Sequence, residues 1–482
     1  MTLDSTTCYR ALRARDARFD GRFFVAVSST RIYCRPVCTV KPPRRENCRF
    51  YPSAAAAESG GYRPCLRCRP ELAPGNASVD ATTRLAQAAA SLIEDRVLDE
   101  EGLDAIAARL GITDRHLRRA FGAEFGVSPV EYAQTQRLLL AKRLLTDTAL
   151  PVTDVAYASG FGSLRRFNAL FKQRYRLQPT RLRRRMKEAA AAPADALHFE
   201  LSYRPPYDWP AVSAFLGARA IAGVETVTDG AYRRTVSVML EGKAHRGWVE
   251  IAPASSKPAL RVDVSASLAK ALPPVLSRVK GLMDLACNPV EVAEALGEIA
   301  RRNPGLRVPG AFDGFEVAVR AILGQQVAVA AARTIAGRLV AAFGEGLETP
   351  HAGLNALFPS AQRIAGLPYG RIARLGMPGA RAKTVVALAR AVADGSLALL
   401  PTAEIEPTLE KLRSLPGVGE WTAQYIAMRA LAWPDAYPHT DLGVMQALAT
   451  RDPRKTLAAG EAWRPWRAYA VMHLWHSLTR KD

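Results

Sequence analysis

The sequence predicts a multidomain α+β protein with a small cysteine-rich head, an all-α middle and a tail that joins an antiparallel sheet to a helical bundle. Its 482 residues suggest about three domains. Six of the seven cysteines lie within the first 68 residues, which sets the head apart. Two segments rich in alanine, proline, glycine and small polar residues, 69–80 and 186–197, are typical of connectors and mark the two borders.

Composition and charge restrict the function. The hydrophobic share of 49% and charged share of 23% exclude a disordered or collagen-like chain. The net charge of +21, of which +14 falls in residues 1–188, indicates a polyanion as partner. No run approaches the roughly 20 apolar residues needed to span a bilayer, and the first residues lack a signal-peptide pattern. We therefore expect a cytoplasmic protein with no membrane partner.

Four cysteines of the head have metal-ligand spacing. Cys34 and Cys38 form one close pair, Cys65 and Cys68 a second, and 26 residues separate the pairs. Four thiolates satisfy tetrahedral Zn²⁺. An odd number of cysteines in a reducing compartment favours a metal site over disulfides. The spacing therefore predicts bound zinc, and by itself it leaves open a site that is purely structural.

The residues around these cysteines are more specific. The segments Thr30–Cys38, Arg45–Tyr51 and Gly61–Cys68 resemble the N-terminal domain of the Ada family along nearly its whole length. The resemblance implies a zinc-bound α/β head over 1–75. It also implies that Cys34 accepts a methyl group irreversibly from a methylated DNA backbone phosphate. Such chemistry is reasonable because zinc keeps a thiol as the nucleophilic thiolate.

The resemblance also implies DNA contacts in the head. The family's phosphate-contacting positions fall on Thr30, Lys41 and Arg63, whereas a fourth, basic in a well-known relative, is Thr39 here. Zn²⁺ with four thiolates is formally −2 and repels an ordinary phosphodiester, but not an uncharged methyl phosphotriester. Methylation lowers this charge to −1, so we expect it to strengthen binding to DNA.

The middle contains an imperfect internal repeat with helical spacing of apolar residues. One copy breaks at Gly111 and restarts at Thr113, and the other breaks at Gly160 and restarts at Ser163. Each copy predicts a helix-turn-helix, whose second helix enters the major groove of DNA.

Basic and polar residues follow on each second helix, although a merely solvated helix face would have the same composition. They are Arg115, His116, Arg118 and Arg119 in the first copy and Arg165, Arg166, Asn168 and Lys172 in the second. With Gly160-Phe-Gly-Ser163 and the later Pro179, the segment 80–187 resembles the double helix-turn-helix of the AraC family. Joined to an Ada-type head, it implies a transcriptional activator of methylation-damage repair that binds promoter DNA and RNA polymerase.

The tail begins with strand-like residues, as in 234–240 and 248–251, and becomes helical from about Pro273. We expect an antiparallel sheet over 197–272 and a helical bundle over 273–482. Within the bundle, the turn containing Gly417 and Gly419 would leave backbone N–H groups at a helix N-terminus, where they can hold a DNA phosphate. An ordinary tight turn is the alternative.

The same region carries further motifs. The turn 415–419, the segment Pro438-His-Thr-Asp441 and the segments 320–326, 375–378 and 463–475 resemble the helix-hairpin-helix glycosylase superfamily, specifically its AlkA-type branch. The resemblance makes Asp441 the catalytic residue. It places the base pocket at Trp421, Tyr425 and Trp475, and the wedge that replaces the flipped base at Gln326, where a well-known relative has leucine.

The implied reaction is excision of N3- or N7-alkylated purines. These bases are cationic, so breaking the bond between base and sugar needs little protonation of the base. Breaking that bond does build positive charge on the sugar, which the carboxylate of Asp441 would stabilise. Aromatic rings would hold the flipped base. Strand-cutting members carry a lysine where Trp421 stands, so we expect a monofunctional enzyme. The Pro-Cys-His-Arg motif of O6-alkylguanine repair is absent, and that activity should be missing. The alternative is an activator whose glycosylase domain binds damage but is catalytically weak.

Overall fold

A computed structural model describes residues 4–74, 81–95, 102–148, 150–186, 196–255 and 257–479. Residues 75–80 and 187–195, which belong to the two predicted connectors, lie outside the described residues. The domain borders placed there therefore stay predictions. Within the described ranges, no helix is both long and apolar enough to cross a bilayer.

The head is a four-stranded sheet of order β3-β1-β2-β4 with helices packed on it. Strand β1 pairs antiparallel with β2 and β3, while β4 runs parallel to β2. Asp4 and Ser53 cap the two helices with their side chains. The elements are α1 (Ser5–Ala14), β1 (Phe24–Val27), β2 (Ile32–Cys34), β3 (Cys48–Tyr51), α2 (Ala54–Ser59) and β4 (Arg63–Pro64).

The middle is all helical in its described residues and contains both predicted helix-turn-helix units. The second helix of each unit begins where expected, because Thr113 and Ser163 cap it with their hydroxyl groups. The helices are α3 (Ala81–Glu94), α4 (Leu103–Arg109), α5 (Asp114–Phe125), α6 (Pro129–Asp147), α7 (Val152–Ala158), α8 (Leu164–Tyr175) and α9 (Pro179–Met186).

The tail begins with a five-stranded antiparallel sheet of order β5-β9-β8-β7-β6. Both strand-like segments seen in the sequence lie in long central strands, and one helix crosses between β5 and β6. The elements are β5 (Ala196–Ser202), α10 (Trp209–Ala218), β6 (Glu225–Thr228), β7 (Ala231–Leu240), β8 (Lys243–Pro253) and β9 (Ala259–Ser265).

A helical bundle with one short two-stranded ribbon completes the tail. Its helices are α11 (Leu272–Leu282), α12 (Pro289–Leu296), α13 (Glu298–Arg301), α14 (Gly314–Leu323), α15 (Val329–Phe343), α16 (Ala361–Ala365), α17 (Tyr369–Ala373), α18 (Gly379–Ala393), α19 (Ile405–Ser414), α20 (Glu420–Arg429), α21 (Leu442–Ala447), α22 (Pro453–Gly460) and α23 (Arg467–Ser477). The ribbon pairs β10 (Glu345–Gly346) with β11 (Ala356–Leu357).

The three parts pack against one another. One apolar core combines helices α6 to α9 with the five-stranded sheet and α11. At its edge the Arg143 guanidinium lies 4.7 Å from the ring centroid of Phe199 and donates to the Glu200 carbonyl at 2.7 Å. The head is joined to α6 by an ion pair of 2.6 Å between Lys142 and Glu71, whose side chains are 2% and 3% exposed. The head, the middle and the tail are therefore held in a defined arrangement.

Candidate functional site

The four predicted cysteine ligands converge at one point of the head. The Sγ atoms of Cys34, Cys38, Cys65 and Cys68 all lie within 4.8 Å of one another. Pairing of β2 with β4 brings the two halves together, since the Cys65 N–H donates to the Tyr33 carbonyl at 3.0 Å. A tetrahedral site with Zn–S bonds of about 2.3 Å has sulfur–sulfur edges of about 3.8 Å. The donor set and its spacing fit Zn²⁺.

The four cysteines also shift one another's pKa values in opposite directions. Hydrogen bonds among the thiols raise the pKa of Cys34 and Cys68 and lower the pKa of Cys65. The four groups therefore cannot all be thiolates unless a positive ion compensates their charge. A bound zinc ion supplies that compensation, and these four residues would hold it.

Backbone contacts distinguish Cys34 from the other three ligands. The sulfur of Cys38 accepts from the Val40 N–H, and that of Cys68 accepts from the Arg35 N–H at 3.3 Å. The sulfur of Cys65 accepts from the backbone N–H groups of residues 67 and 68. Among the described residues no backbone N–H is recorded at the sulfur of Cys34. A thiolate at Cys34 would therefore accept fewer backbone hydrogen bonds than the other three sulfurs.

A buried arginine supports the zinc site and was not singled out from the sequence. The Arg35 guanidinium donates to the Asp20 carboxylate and to the Cys68 carbonyl at 3.2 Å. Both members of this ion pair are buried. Nothing local in the sequence marks the pair, because Asp20 precedes the ligand segment by a whole strand.

The predicted DNA-contacting residues of the head and the middle lie on the surface. Thr30 and Lys41 are exposed and Arg63 is partly exposed. On the second helices of the two helix-turn-helix units, four predicted arginines are exposed: Arg115, Arg118, Arg165 and Arg166. One of them has a local partner, since the Arg118 side chain donates to Asp114 at 2.8 Å. DNA would compete with this exposed ion pair, which is worth little in water.

In the tail, Asp441 lies at the N-terminus of α21, where it is the capping residue. Its Oδ1 accepts from the indole N–H of Trp475 at 2.8 Å and from the Val444 N–H at 3.0 Å. Its Oδ2 accepts from the indole N–H of Trp421 at 2.8 Å. Three N–H donors thus hold the carboxylate in one orientation.

The three predicted base-pocket rings surround this carboxylate. Trp421 and Tyr425 stack with centroids 5.4 Å apart, because they lie one turn apart on α20. Trp475, on α23, approaches Tyr425 at 6.2 Å. They line a cleft of about 1130 Å³ that also includes Asp441 and Gln326. The structure therefore brings together residues that lie far apart in the sequence, from Gln326 to Trp475.

The turn with Gly417 and Gly419 lies at the mouth of the same cleft. Gly417 has φ +84°, and a Cβ there would lie 2.4 Å from the Thr384 hydroxyl, so glycine is required. Gly419 is the capping residue of α20, so the backbone amides that follow face outward without an intrahelical partner. The Gln325 amide donates to the Gly417 carbonyl and to the Thr422 hydroxyl, both at 2.8 Å.

Known protein families match the head, the middle and the two parts of the tail separately. Four family models match: the metal binding domain of Ada over 7–71, a helix-turn-helix domain over 106–185, the AlkA N-terminal domain over 198–313 and the HhH-GPD superfamily of base excision DNA repair proteins over 319–461. A relative from Mycobacterium tuberculosis, the "Probable bifunctional transcriptional activator/DNA repair enzyme AlkA", is 41% identical over 98% of this chain and 97% of its own. The chain belongs to this bifunctional activator/AlkA family.

Two further comparisons concern the catalytic part alone. "DNA-3-methyladenine glycosylase 2" of Escherichia coli is 37% identical over 58% of this chain and 97% of its own length. The solved structure of a 3-methyladenine DNA-glycosylase from Archaeoglobus fulgidus covers 58% of this chain and 97% of that chain, with 22% identity and a TM-score of 0.49.

In this member of the bifunctional activator/AlkA family, sequence reasoning missed two residues near the cleft, one in α10 and one directly after it, and the second of these, Arg219, lines the cleft. Phe215 stacks on Trp475, with centroids 6.4 Å apart and planes 17° apart. The Arg219 guanidinium lies 3.7 Å from the centroid of Phe215. The two residues lie one helical turn apart in the segment 197–272, which the sequence predicted only as an antiparallel sheet. No local signal marks them, because tertiary packing alone brings α10 to the cleft.

Arginines also surround the hydroxyl group of Tyr425. Arg429 donates to this hydroxyl at 3.0 Å. Burial alone would raise the pKa of Tyr425, but the charges of neighbouring arginines, chiefly Arg429 and Arg219, outweigh burial and lower that pKa. Arg320 also lowers the pKa of Tyr425. Its own charge is balanced by ion pairs with Glu225 at 2.8 Å and with Glu316 at 2.9 Å.

Proposed function

We propose that this chain is an adaptive-response DNA alkylation repair protein. It combines a monofunctional glycosylase of the DNA-3-methyladenine glycosylase II type with a methylphosphotriester sensor and a transcriptional activator. The observation that carries the proposal is the Asp441 carboxylate, fixed by two indole N–H groups in a cleft lined with aromatic rings. Because DNA is its substrate, the protein works in the compartment that holds the chromosome.

The cleft supports cleavage of a bond to a cationic base. A flipped N3- or N7-alkylated purine would lie against the rings of Trp421, Tyr425 and Trp475, whose electron-rich faces attract positive charge by about 0.5–2 kcal/mol each. When the bond between base and sugar breaks, its electron pair leaves with the base and neutralises it. Positive charge then develops on the sugar, where the Asp441 anion stabilises it.

Water completes the reaction. It adds to the sugar cation and loses a proton, which leaves an abasic site and a free neutral base. Trp421 occupies the position at which a lysine would form a Schiff base, so the strand is not cut. Borohydride trapping should accordingly give no covalent adduct between protein and DNA.

A base-release assay tests the glycosylase. Purified protein is mixed with duplex DNA containing N7-methylguanine, and released base is measured beside an Asp441→Asn variant. Asparagine is an equally good helix-capping residue, so α21 should stay folded. The substitution should abolish excision and preserve DNA binding. Release that is absent from the wild-type protein would favour the alternative of a damage-binding activator without catalysis.

We also propose that Cys34 is the methyl acceptor. Its sulfur attacks the methyl carbon of a phosphotriester, the new S–C bond forms, and the O–C bond breaks to leave an anionic phosphodiester. The anionic cluster would repel an ordinary diester but tolerate the uncharged triester. After transfer the cluster has one negative charge fewer, which should strengthen binding of Thr30, Lys41 and Arg63 to DNA phosphates.

Mass spectrometry and binding measurements test the sensor. After exposure to methylated DNA, the peptide containing Cys34 should gain one methyl group, whereas the peptide containing the buried Cys287 should gain none. The affinity for DNA at fixed salt should rise after methylation. If the sensor is purely structural, neither the mass nor the affinity will change.

The helix-turn-helix units would carry the signal to transcription. We propose that Arg115 and Arg118 read one major-groove segment and that Arg165 and Arg166 read the next. A promoter-bound activator of this kind would recruit RNA polymerase. Transcription from the protein's own promoter, with purified polymerase and methylated or unmethylated protein, tests that step.

A further inference from the structure

The rim of the catalytic cleft exposes aliphatic side chains. Leu442 is 78% exposed, the highest value for any large apolar residue in the described part of the chain. Val327 and Val329, which line the same cleft, are 37% and 44% exposed. Single exposed apolar residues need no explanation, but three around one functional cleft indicate a surface that is covered when the cleft is occupied.

Leu442 has a fixed relation to the chemistry. It directly follows Asp441 and is the first residue of α21, whose start is held by the hydrogen bond between Asp441 Oδ1 and the Val444 N–H. The carboxylate is in turn anchored by Trp421 and Trp475. Any object that touches the Leu442 side chain is therefore positioned relative to the carboxylate with little freedom.

Gln326, the expected wedge, is less suited to that role alone. It is exposed at the same rim and has φ +54°. Its side chain ends in an amide, which loses hydrogen bonds to water when it is inserted between stacked bases. An aliphatic side chain pays no such cost, and apolar wedges are the usual means of unstacking a base step.

We propose that Leu442 enters the DNA duplex at the space left by the flipped base, and that Val327, which lines the same cleft, covers the neighbouring stack. Leu442 is then a positioning residue that keeps the extruded nucleotide beside Asp441. This inference rests on the proposed glycosylase function. Its occupant is duplex DNA, because the cleft continues into the turn with Gly417 and Gly419 that would hold a phosphate.

The test compares Leu442→Ala with Leu442→Met and with Met239→Ala. Met239 is 63% exposed on β7 and belongs to no proposed site, so its variant is a matched control. Single-turnover excision of N7-methylguanine is measured opposite cytosine and opposite an abasic analogue. Fluorescence of 2-aminopurine beside the lesion reports unstacking, and thermal melting checks the fold.

Leu442→Ala should slow excision opposite cytosine roughly tenfold to hundredfold, because flipping a paired base costs a few kcal/mol. The loss should be much smaller opposite the abasic analogue, and the 2-aminopurine signal should fall. Leu442→Met and Met239→Ala should keep nearly full rates. Unchanged excision in Leu442→Ala, or an equal loss on both substrates, would overturn the inference and leave the glycosylase intact.

A Gln326→Ala variant completes the test. If Gln326→Ala shows the pairing-dependent loss and Leu442→Ala does not, the wedge is Gln326 and the inference is wrong. An inactive wild-type protein would refute the proposed function itself, and with it this deduction.

Discussion

The indole Nε1 of Trp475 lies 2.8 Å from Oδ1 of Asp441 and donates a hydrogen bond to it. Their backbones belong to different helices, α23 and the start of α21. Gly443 allows the contact, since a Cβ at this position would lie 3.1 Å from both the carboxylate oxygen and the indole ring. The aromatic wall of the base pocket and the orientation of the carboxylate are thus one structural unit.

Trp475→Phe should separate these two roles. Phenylalanine keeps an aromatic face but removes the N–H donor, and a hydrogen bond to a charged group contributes about 1.5–3 kcal/mol. We expect kcat for N7-methylguanine release to fall roughly tenfold to hundredfold with a small change in KM. Trp433→Phe, which alters a tryptophan without a proposed role, is the control. A fall in both variants would indicate a general loss of packing.

Local sequence patterns predicted the parts of the site that are encoded locally. The four zinc ligands lie in two short motifs, and the hydroxyl caps at Thr113 and Ser163 act within three residues of themselves. The contribution of Phe215 could not be predicted in this way. It reaches Trp475 only because the sheet domain packs α10 against the bundle.

The identity of the wedge is a second feature that the sequence motif alone does not determine. The motif position falls on Gln326, and the residue type there differs from the leucine of a well-known relative. The high solvent exposure of Leu442 favours this residue instead, and solvent exposure is a property of the folded surface. Spacing along the chain carries no information about it.

Arg219 should weaken the preference of the cleft for cationic bases over neutral ones. Its cation lies against Phe215 in the cleft and lowers the pKa of Tyr425 together with Arg429, so it repels a positively charged base. Arg219→Met should raise the ratio of the excision rates for cationic N7-methylguanine and neutral hypoxanthine by about threefold to tenfold. Arg301→Met removes the same charge at a side chain that is 75% exposed, and it should leave the ratio unchanged. A ratio that falls in Arg219→Met would contradict this electrostatic role.

Glu58 should make the stability of the head depend on pH. It is buried between the head and α8 and accepts hydrogen bonds from the hydroxyls of Tyr33 at 3.0 Å and Tyr175 at 3.3 Å. Burial raises the pKa of Glu58 from 4.5 to about 8. A raised folded pKa means that the folded protein binds more protons than the unfolded chain between these values. The free energy of unfolding therefore decreases as the pH rises from about 4.5 to 8.

Glu58→Gln removes this titration. The variant should gain stability relative to the wild-type protein as the pH is raised from 5 to 8.5, measured by urea unfolding across that range. Glu298→Gln, at a side chain that is 76% exposed, provides the matched control and should follow the wild-type curve. Parallel curves for Glu58→Gln and wild type would show that the buried carboxyl group does not titrate in this interval.

The buried pair of Lys142 and Glu71 should hold the head on the middle. Each side chain is nearly inaccessible, and Arg69 gives Glu71 a second partner at 3.1 Å. Lys142→Met removes the nearer of the two cations and leaves Glu71 with Arg69 alone, and removal of one partner from a buried ion pair costs about 3–5 kcal/mol. We therefore expect a loss of that order in urea unfolding, with earlier proteolytic cleavage between the head and α6. Lys257→Met, at a lysine that is 50% exposed, should change little.

The double variant Lys142→Met/Glu71→Gln decides whether the pair acts by charge. Both buried charges are then gone, so much of the lost stability should return, because a neutral amide is far less costly to bury than an anion. The attractions of Lys142 and Arg69 outweigh burial and lower the pKa of Glu71 from 4.5. The stabilisation by the native pair should therefore be complete above the ordinary pKa of a glutamate and should be lost only as the pH falls below it, through the lowered pKa of Glu71. If the double variant is no more stable than Lys142→Met, the lysine contributes by packing its methylene groups. The free energy of unfolding should then depend only weakly on pH, and to the same extent, in the wild type, in Lys142→Met and in the double variant.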